Sequence, residues 1–162
     1  MRAMTGAAGL AGRIEVDSAA SHPYRIGDPP DPRARDAARR RGYELGTRRA
    51  RQVVLADFED CDLILAMDFV SLEQLQAICP QVHRDKIGLL MPYATHRRAL
   101  IVHDPYSRSA KQFEIALDYI EDACAGLLRT LAVQFAENMS PVASPRDARG
   151  LQTQMAGPTF GC

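Results

Sequence analysis

The chain has 162 residues, 46% of them hydrophobic and 25% charged, with 20 Lys and Arg balancing 20 Asp and Glu. That length corresponds to about one domain, and the composition excludes a collagen-like or wholly disordered chain. A formal net charge of zero removes the global basic field that drives non-specific nucleic-acid binding, so no nucleic-acid partner is expected.

The N-terminal stretch Met1 to Gly12 holds one Arg and small residues, too short and weak an apolar run for a signal sequence or a membrane span. A cytoplasmic location without membrane association is therefore expected. Ile14 and Val16 alternate with polar neighbours, which predicts a short strand over 13–18. Asp31 and Pro32 suit the N-cap and first turn of a helix running from Pro32 to Arg41 and stopping at Gly42. Asp62 to Met67 is a nearly continuous apolar run that predicts a strand buried on both faces of a parallel sheet, ended by Asp68. Ser71 and Gln74 have capping-box spacing for a helix that Pro80 must stop. Lys86 to Met91 predicts another buried strand. Finally, Phe113, Leu117, Ile120, Cys124, Leu127 and Leu131 recur at helical spacing behind Ser109 and Gln112, a second capping-box pattern.

Strand and helix alternating three times predict a doubly wound α/β fold with a parallel sheet. Residues 138–162 contain three Pro and three Gly without periodicity, so a flexible tail is expected to follow a domain spanning 1–137. The four cysteines, Cys61, Cys79, Cys124 and Cys162, have no C-x-x-C spacing; buried thiols are expected rather than a zinc site, a redox pair or a disulfide scaffold. Between Arg33 and Arg51, eight Arg face only Asp36 and Glu44, a run expected to form a solvated face that could steer an anionic substrate.

Several stretches, in order over about residues 7–132, together resemble the low molecular weight protein tyrosine phosphatase family. They are Val16-Asp17-Ser18-Ala19, Gly27-Asp28-Pro29-Pro30-Asp31-Pro32-Arg33, Ala50-Arg51-Gln52, Asp57-Phe58 with Asp62 through Asp68, and Asp104-Pro105-Tyr106 with Phe113. The resemblance implies hydrolysis of phosphotyrosine proteins or small aryl phosphates through a phosphocysteine intermediate, without a metal or other cofactor. It implies Asp104 as the general acid, Tyr24 and Tyr106 as aromatic walls of the substrate pocket, and Ser18 as a support for the nucleophile loop. Ser107 stands where many relatives carry a second Tyr, which makes the pocket less aromatic. Arg48 lies near a place where relatives often carry His.

The same resemblance implies a first strand, a C-x5-R phosphate loop and a first helix, with that strand lying centrally between residues 13–18 and 62–67. The chain lacks the strand, the loop and most of the helix. No cysteine can substitute: six positions beyond Cys61, Cys79 and Cys124 stand Met67, Asp85 and Thr130, and Cys162 is the last residue. Cys79 closes a helix before Pro80, where the dipole opposes a thiolate, and reads as a packing residue. Arsenate reduction would require further cysteines near one another. Two readings follow. The sequence is either an N-terminally truncated phosphatase, inactive as written, or a catalytically dead relative acting as a binding or regulatory partner.

Overall fold

The computed structural model describes residues 1–106 and 108–139, so the expected tail, apart from its first two residues, lies outside the described residues. Its elements in chain order are α1 (Arg2–Ala7), α2 (Pro32–Arg40), α3 (Leu55–Asp60), β1 (Ile64–Ala66), α4 (Phe69–Ile78), β2 (Ile87–Leu89) and α5 (Ala110–Met139). Two 3-10 turns, Gln81–Lys86 and Met91–Tyr93, flank β2. The strands β1 and β2 pair in parallel, with Ile64 opposite Ile87 and Ala66 opposite Leu89. This is the expected α/β architecture with a parallel sheet.

Helices cover both faces of that sheet. On one face Ile64 and Ala66 pack with Val53, Phe58, Leu75 and Cys79; on the other Leu63 and Leu65 pack with Ile14, Leu90, Cys124, Leu127 and Leu131. The alternation follows from the strand period of two. Phe58, fully buried, anchors the first cluster, and the buried stripe of α5 from Ala116 to Phe135 anchors the second. Gly126 lies where α5 crosses the Met91–Tyr93 turn, and a methyl group there would overlap the Tyr93 carbonyl oxygen.

Helix ends follow the local chemistry. The Asp31 carboxylate accepts the Arg33 backbone N–H at 2.8 Å, as its N-cap place predicts. At the other end Gly42 takes a positive φ of 77°, and the N–H groups of Gly42 and Tyr43 bond back to the carbonyls of Arg39 and Ala38. This is the Schellman arrangement, which favours glycine because it has no Cβ. Arg41, just beyond α2, donates to Glu114, Asp118 and Glu121 along α5, tying the two helices together.

Three expectations are corrected. No strand forms over 13–18: Ile14 is an isolated bridge residue whose N–H turns back to Leu10 O, 15–19 carry no strand, and at Ala20 a parallel bridge reaches Gln52. Alternating residues can supply an apolar face, but a strand also needs an adjacent edge for its N–H and C=O groups. Second, α4 is capped by Asp68, whose carboxylate accepts the Ser71 N–H at 2.7 Å, and not by Ser71, which lies inside the helix. The carboxylate is one turn earlier and is the stronger acceptor. Third, α3 was not expected. Its first turn is organised by Asp57, which accepts the Val54 N–H, and its last carbonyls, Phe58 O and Glu59 O, accept from Lys86 Nζ.

Cys79 and Cys124 are buried free thiols, as expected. Cys61 is also buried but is disulfide-bonded, a departure from the expected thiol. Among the described residues, no helix is long and apolar enough to cross a membrane.

Candidate functional site

The Ala66 carbonyl accepts the Leu90 N–H, so the polar backbone groups of Ala66 face β2. Because successive residues of a strand direct these groups to opposite sides, those of Leu65 face away from β2, toward the segment 14–20. Two cavities lie along that edge. A cavity of about 390 Å³ is lined by Ser18, Ala20, His22, Arg51, Leu75 and residues Leu63 through Met67. A second, of about 180 Å³, is lined by Ile14, Val16, Leu63, Leu65, Leu127 and Leu131. The two lie beside the same strand residues and touch the two opposite cores.

The carboxyl end of β1 holds the segment that carries Asp104. Val102 N–H donates to Met67 O at 2.8 Å, and Met67 also lines the larger cavity with Ser18. Asp104 therefore lies two residues beyond a fixed point at the carboxyl end of the strand. In open α/β folds the crevice beyond strand ends is where ligands bind. The Asp104 Oδ1 accepts the Tyr106 backbone N–H at 2.9 Å, a turn in which Pro105 is the central residue.

The aromatic positions are joined to this corner by stacking. Arg25 lies over the Tyr106 ring at 4.1 Å, and the neighbouring Tyr24 stacks on His22 with ring centres 5.3 Å apart. His22 lines the larger cavity and contacts Gln74 Nε2 at 3.1 Å through Nδ1. Ser18 and His22 thus line one cavity, His22 stacks on Tyr24, and Arg25, next in the chain, covers Tyr106, whose N–H meets Asp104. Both tyrosines are open to solvent, Tyr24 at 83% and Tyr106 at 45% exposure, with His22 stacked against the first ring and Arg25 over the second.

Three residues matter to this corner without having been assigned a role from sequence. Arg51 joins Asp17 and Asp57 across the cavity wall, with four contacts between 2.8 and 3.0 Å. The Arg51 hydrogen bonds hold the Asp57 carboxyl below its usual range, and they outweigh the effect of burial at Asp17, aided by the Ser18 N–H. Arg33 reaches from the start of α2 to the Asp104 loop, and His22 supports Tyr24. All three belong to, or adjoin, the stretches that carried the resemblance. Their cross-chain partners, however, are set by tertiary structure.

Nucleophile chemistry is a different matter. Burial pushes both free thiols, Cys79 and Cys124, above their ordinary range. Cys79 closes α4, and its Sγ donates to Pro80 O, so it is the packing residue that its position predicted. A phosphate-attacking thiolate needs the opposite environment, with helix N-terminal N–H groups and a guanidinium. Among the described residues, no group of three His, Cys, Asp or Glu side chains could hold a metal ion.

Comparison with known proteins agrees with this architecture. The family model described as low molecular weight phosphotyrosine protein phosphatase matches residues 1–137. A Synechocystis protein named for that family is 38% identical over 133 residues, which is 81% of this chain and 83% of the relative. The human low molecular weight phosphotyrosine protein phosphatase is 36% identical over 115 residues, 70% of this chain and 72% of its own length. Among solved structures, a protein tyrosine phosphatase from Entamoeba histolytica superposes with a TM-score of 0.79 at 30% identity, covering 83% of this chain and 85% of that one. A low molecular weight phosphotyrosine phosphatase from Vibrio cholerae gives 0.74 at 31% identity, covering 82% and 84%. With this match over most of its length, the chain belongs to the low molecular weight phosphotyrosine protein phosphatase family.

Proposed function

We propose that the chain provides the acid-bearing and substrate-shaping part of a phosphatase site for phosphotyrosine or small aryl phosphates. Asp104 protonates the phenolic oxygen as its bond to phosphorus breaks, Tyr24 and Tyr106 receive the aryl ring, and Ser18 supports the nucleophile loop. The phosphoryl group passes to a cysteine thiolate, and water then cleaves the phosphocysteine with Asp104 as the base. This chemistry requires a C-x5-R loop. These 162 residues contain none, and the chain by itself is expected to be inactive. The observation that carries the reading is the Val102 N–H to Met67 O bond, which fixes the Asp104 segment beside the cavity that Ser18 lines. A cytoplasmic location is part of the proposal and is checked by fractionation.

A binding or regulatory role is the second reading, favoured by the burial of both free thiols. One assay separates the two. The full chain is tested on p-nitrophenyl phosphate alone and with a relative's strand, C-x5-R loop and helix fused before Met1. No turnover is expected from the chain alone. Turnover is expected from the fusion and should fall on the order of 100-fold in Asp104→Asn. Activity of the unfused chain that thiol alkylation abolishes would reveal a nucleophile among its own cysteines, while a folded but inactive fusion would favour the binding role.

A further inference from the structure

We propose that Arg33 is a positioning residue for Asp104, acting through the Tyr106 peptide; the inference rests on the reading of Asp104 as the general acid. Arg33 Nε and Nη2 donate to the Asp31 carboxylate at 3.1 and 2.8 Å. The same guanidinium reaches across to the Asp104 loop, with Nη2 donating to Tyr106 O at 2.7 Å and Nη1 to Arg108 O at 3.0 Å. Its central carbon, Cζ, lies 4.7 Å from the Phe113 ring centre, at the start of α5, and 5.7 Å from that of Tyr106. One side chain therefore joins the first turn of α2 to the loop and to the first turn of α5.

The link to Asp104 is direct in geometry. Tyr106 O is held by Arg33, while Tyr106 N–H is the donor that Asp104 Oδ1 accepts. Gripping one end of the residue restricts rotation of the other, and so restricts where the carboxyl can point. The Val102 bond to Met67 fixes the chain before Asp104; Arg33 fixes it afterwards. A planar guanidinium suits this task because its donors lie in fixed directions, toward a carboxylate on one side and two carbonyls on the other. A lysine ammonium in the same place keeps the charge but cannot hold all three acceptors in one plane.

The test follows the Tyr106 amide proton by NMR in the isotope-labelled full chain as acid is added. Because that N–H points at the Asp104 carboxylate, its resonance should move when Asp104 takes a proton. The movement should vanish in Asp104→Asn, vanish in Arg33→Ala and be roughly halved in Arg33→Lys. Arg41→Gln, which breaks ion pairs between α2 and α5 away from the loop, should lower the Tm and leave the Tyr106 response intact. An unchanged Tyr106 response in Arg33→Ala would overturn the proposal, and so would its equal loss in Arg41→Gln.

A kinetic arm uses the fusion described above, with the full chain retained. Arg33→Lys should reduce kcat/KM for phenyl phosphate roughly tenfold more than for p-nitrophenyl phosphate, because the poorer leaving group depends more on proton donation. Equal reductions on both substrates would overturn the positioning role. A fusion inactive on both substrates, with the Tyr106 response behaving as expected, would sink the general-acid reading and support the hold of Arg33 on the loop.

Discussion

Arg51 grips Asp57 with two parallel bonds of 2.8 Å, Nη1 to Oδ2 and Nη2 to Oδ1, while Asp57 also accepts the Val54 backbone N–H. The same guanidinium bonds Asp17, so one side chain fastens segment 17–20 to the first turn of α3. Because Arg51 is more than a third exposed, solvent screens part of this interaction. Arg51→Lys is expected to lower stability by about 1 kcal/mol in urea denaturation, since a point charge cannot reproduce the fork. A Lys variant as stable as the native chain would show that charge alone maintains the join.

Gly126→Ala should destabilise the chain even though alanine is the better helix former. The helix gain is about 1 kcal/mol, but the added methyl meets the Tyr93 carbonyl, which belongs to backbone and cannot rotate away. Overpacking of this kind costs about 1 to 3 kcal/mol, so a net fall in Tm is expected by circular dichroism. A rise in Tm would mean that α5 and the Met91–Tyr93 turn can separate without penalty.

Acid should weaken the fold over a defined interval. Arg33 is the main cause that lowers the Asp31 carboxyl to about 2. At Asp122 burial acts upward, but the N–H groups of Arg97, His96 and Thr95 overcome it and bring the carboxyl to about 2 as well. Both groups are depressed in the folded state, so their contribution is present above the unfolded value of about 4 and is lost as the pH falls toward 2. Urea midpoints should decline between those values. In a double Asp31→Asn, Asp122→Asn variant the decline should be shallower; an identical slope would remove these two groups as its source.

The edge of β1, unpaired among the described residues, should make the unfused chain self-associate. The backbone groups of Leu65 face a pair of cavities, not a strand, among the described residues. Such an edge is a template for pairing with another chain. Sedimentation should show association that increases with concentration and diminishes when the strand, loop and helix of a relative are fused before Met1. A chain that remains a monomer with one sharp thermal transition would contradict this expectation.

Much of the architecture was legible locally. The apolar run from Asp62 to Met67 contains β1, and Asp31 with Gly42 marks α2 because N-caps and left-handed C-terminal residues depend on their own side chains. The period of Phe113, Leu127 and Leu131 likewise exposed α5, although its buried stripe also includes Ala116 and Ala123, whose small side chains contribute little to a hydrophobic pattern. Residues 13–18 misled for a physical reason. Alternation reports which side chains can share a face, whereas strand formation requires a neighbouring backbone supplied by distant chain.

The sequence by itself therefore determined the order of most elements, the family resemblance and the absence of a C-x5-R loop, since these depend on residue type and short spacing. Only tertiary structure decided that Arg33 reaches Tyr106 across 73 positions and that Arg51 reaches Asp17 across 34. Charged side chains can find many partners within a sequence that is so rich in them. Which pairs form is decided by where the helices and strand ends bring their donors and acceptors within hydrogen-bonding distance.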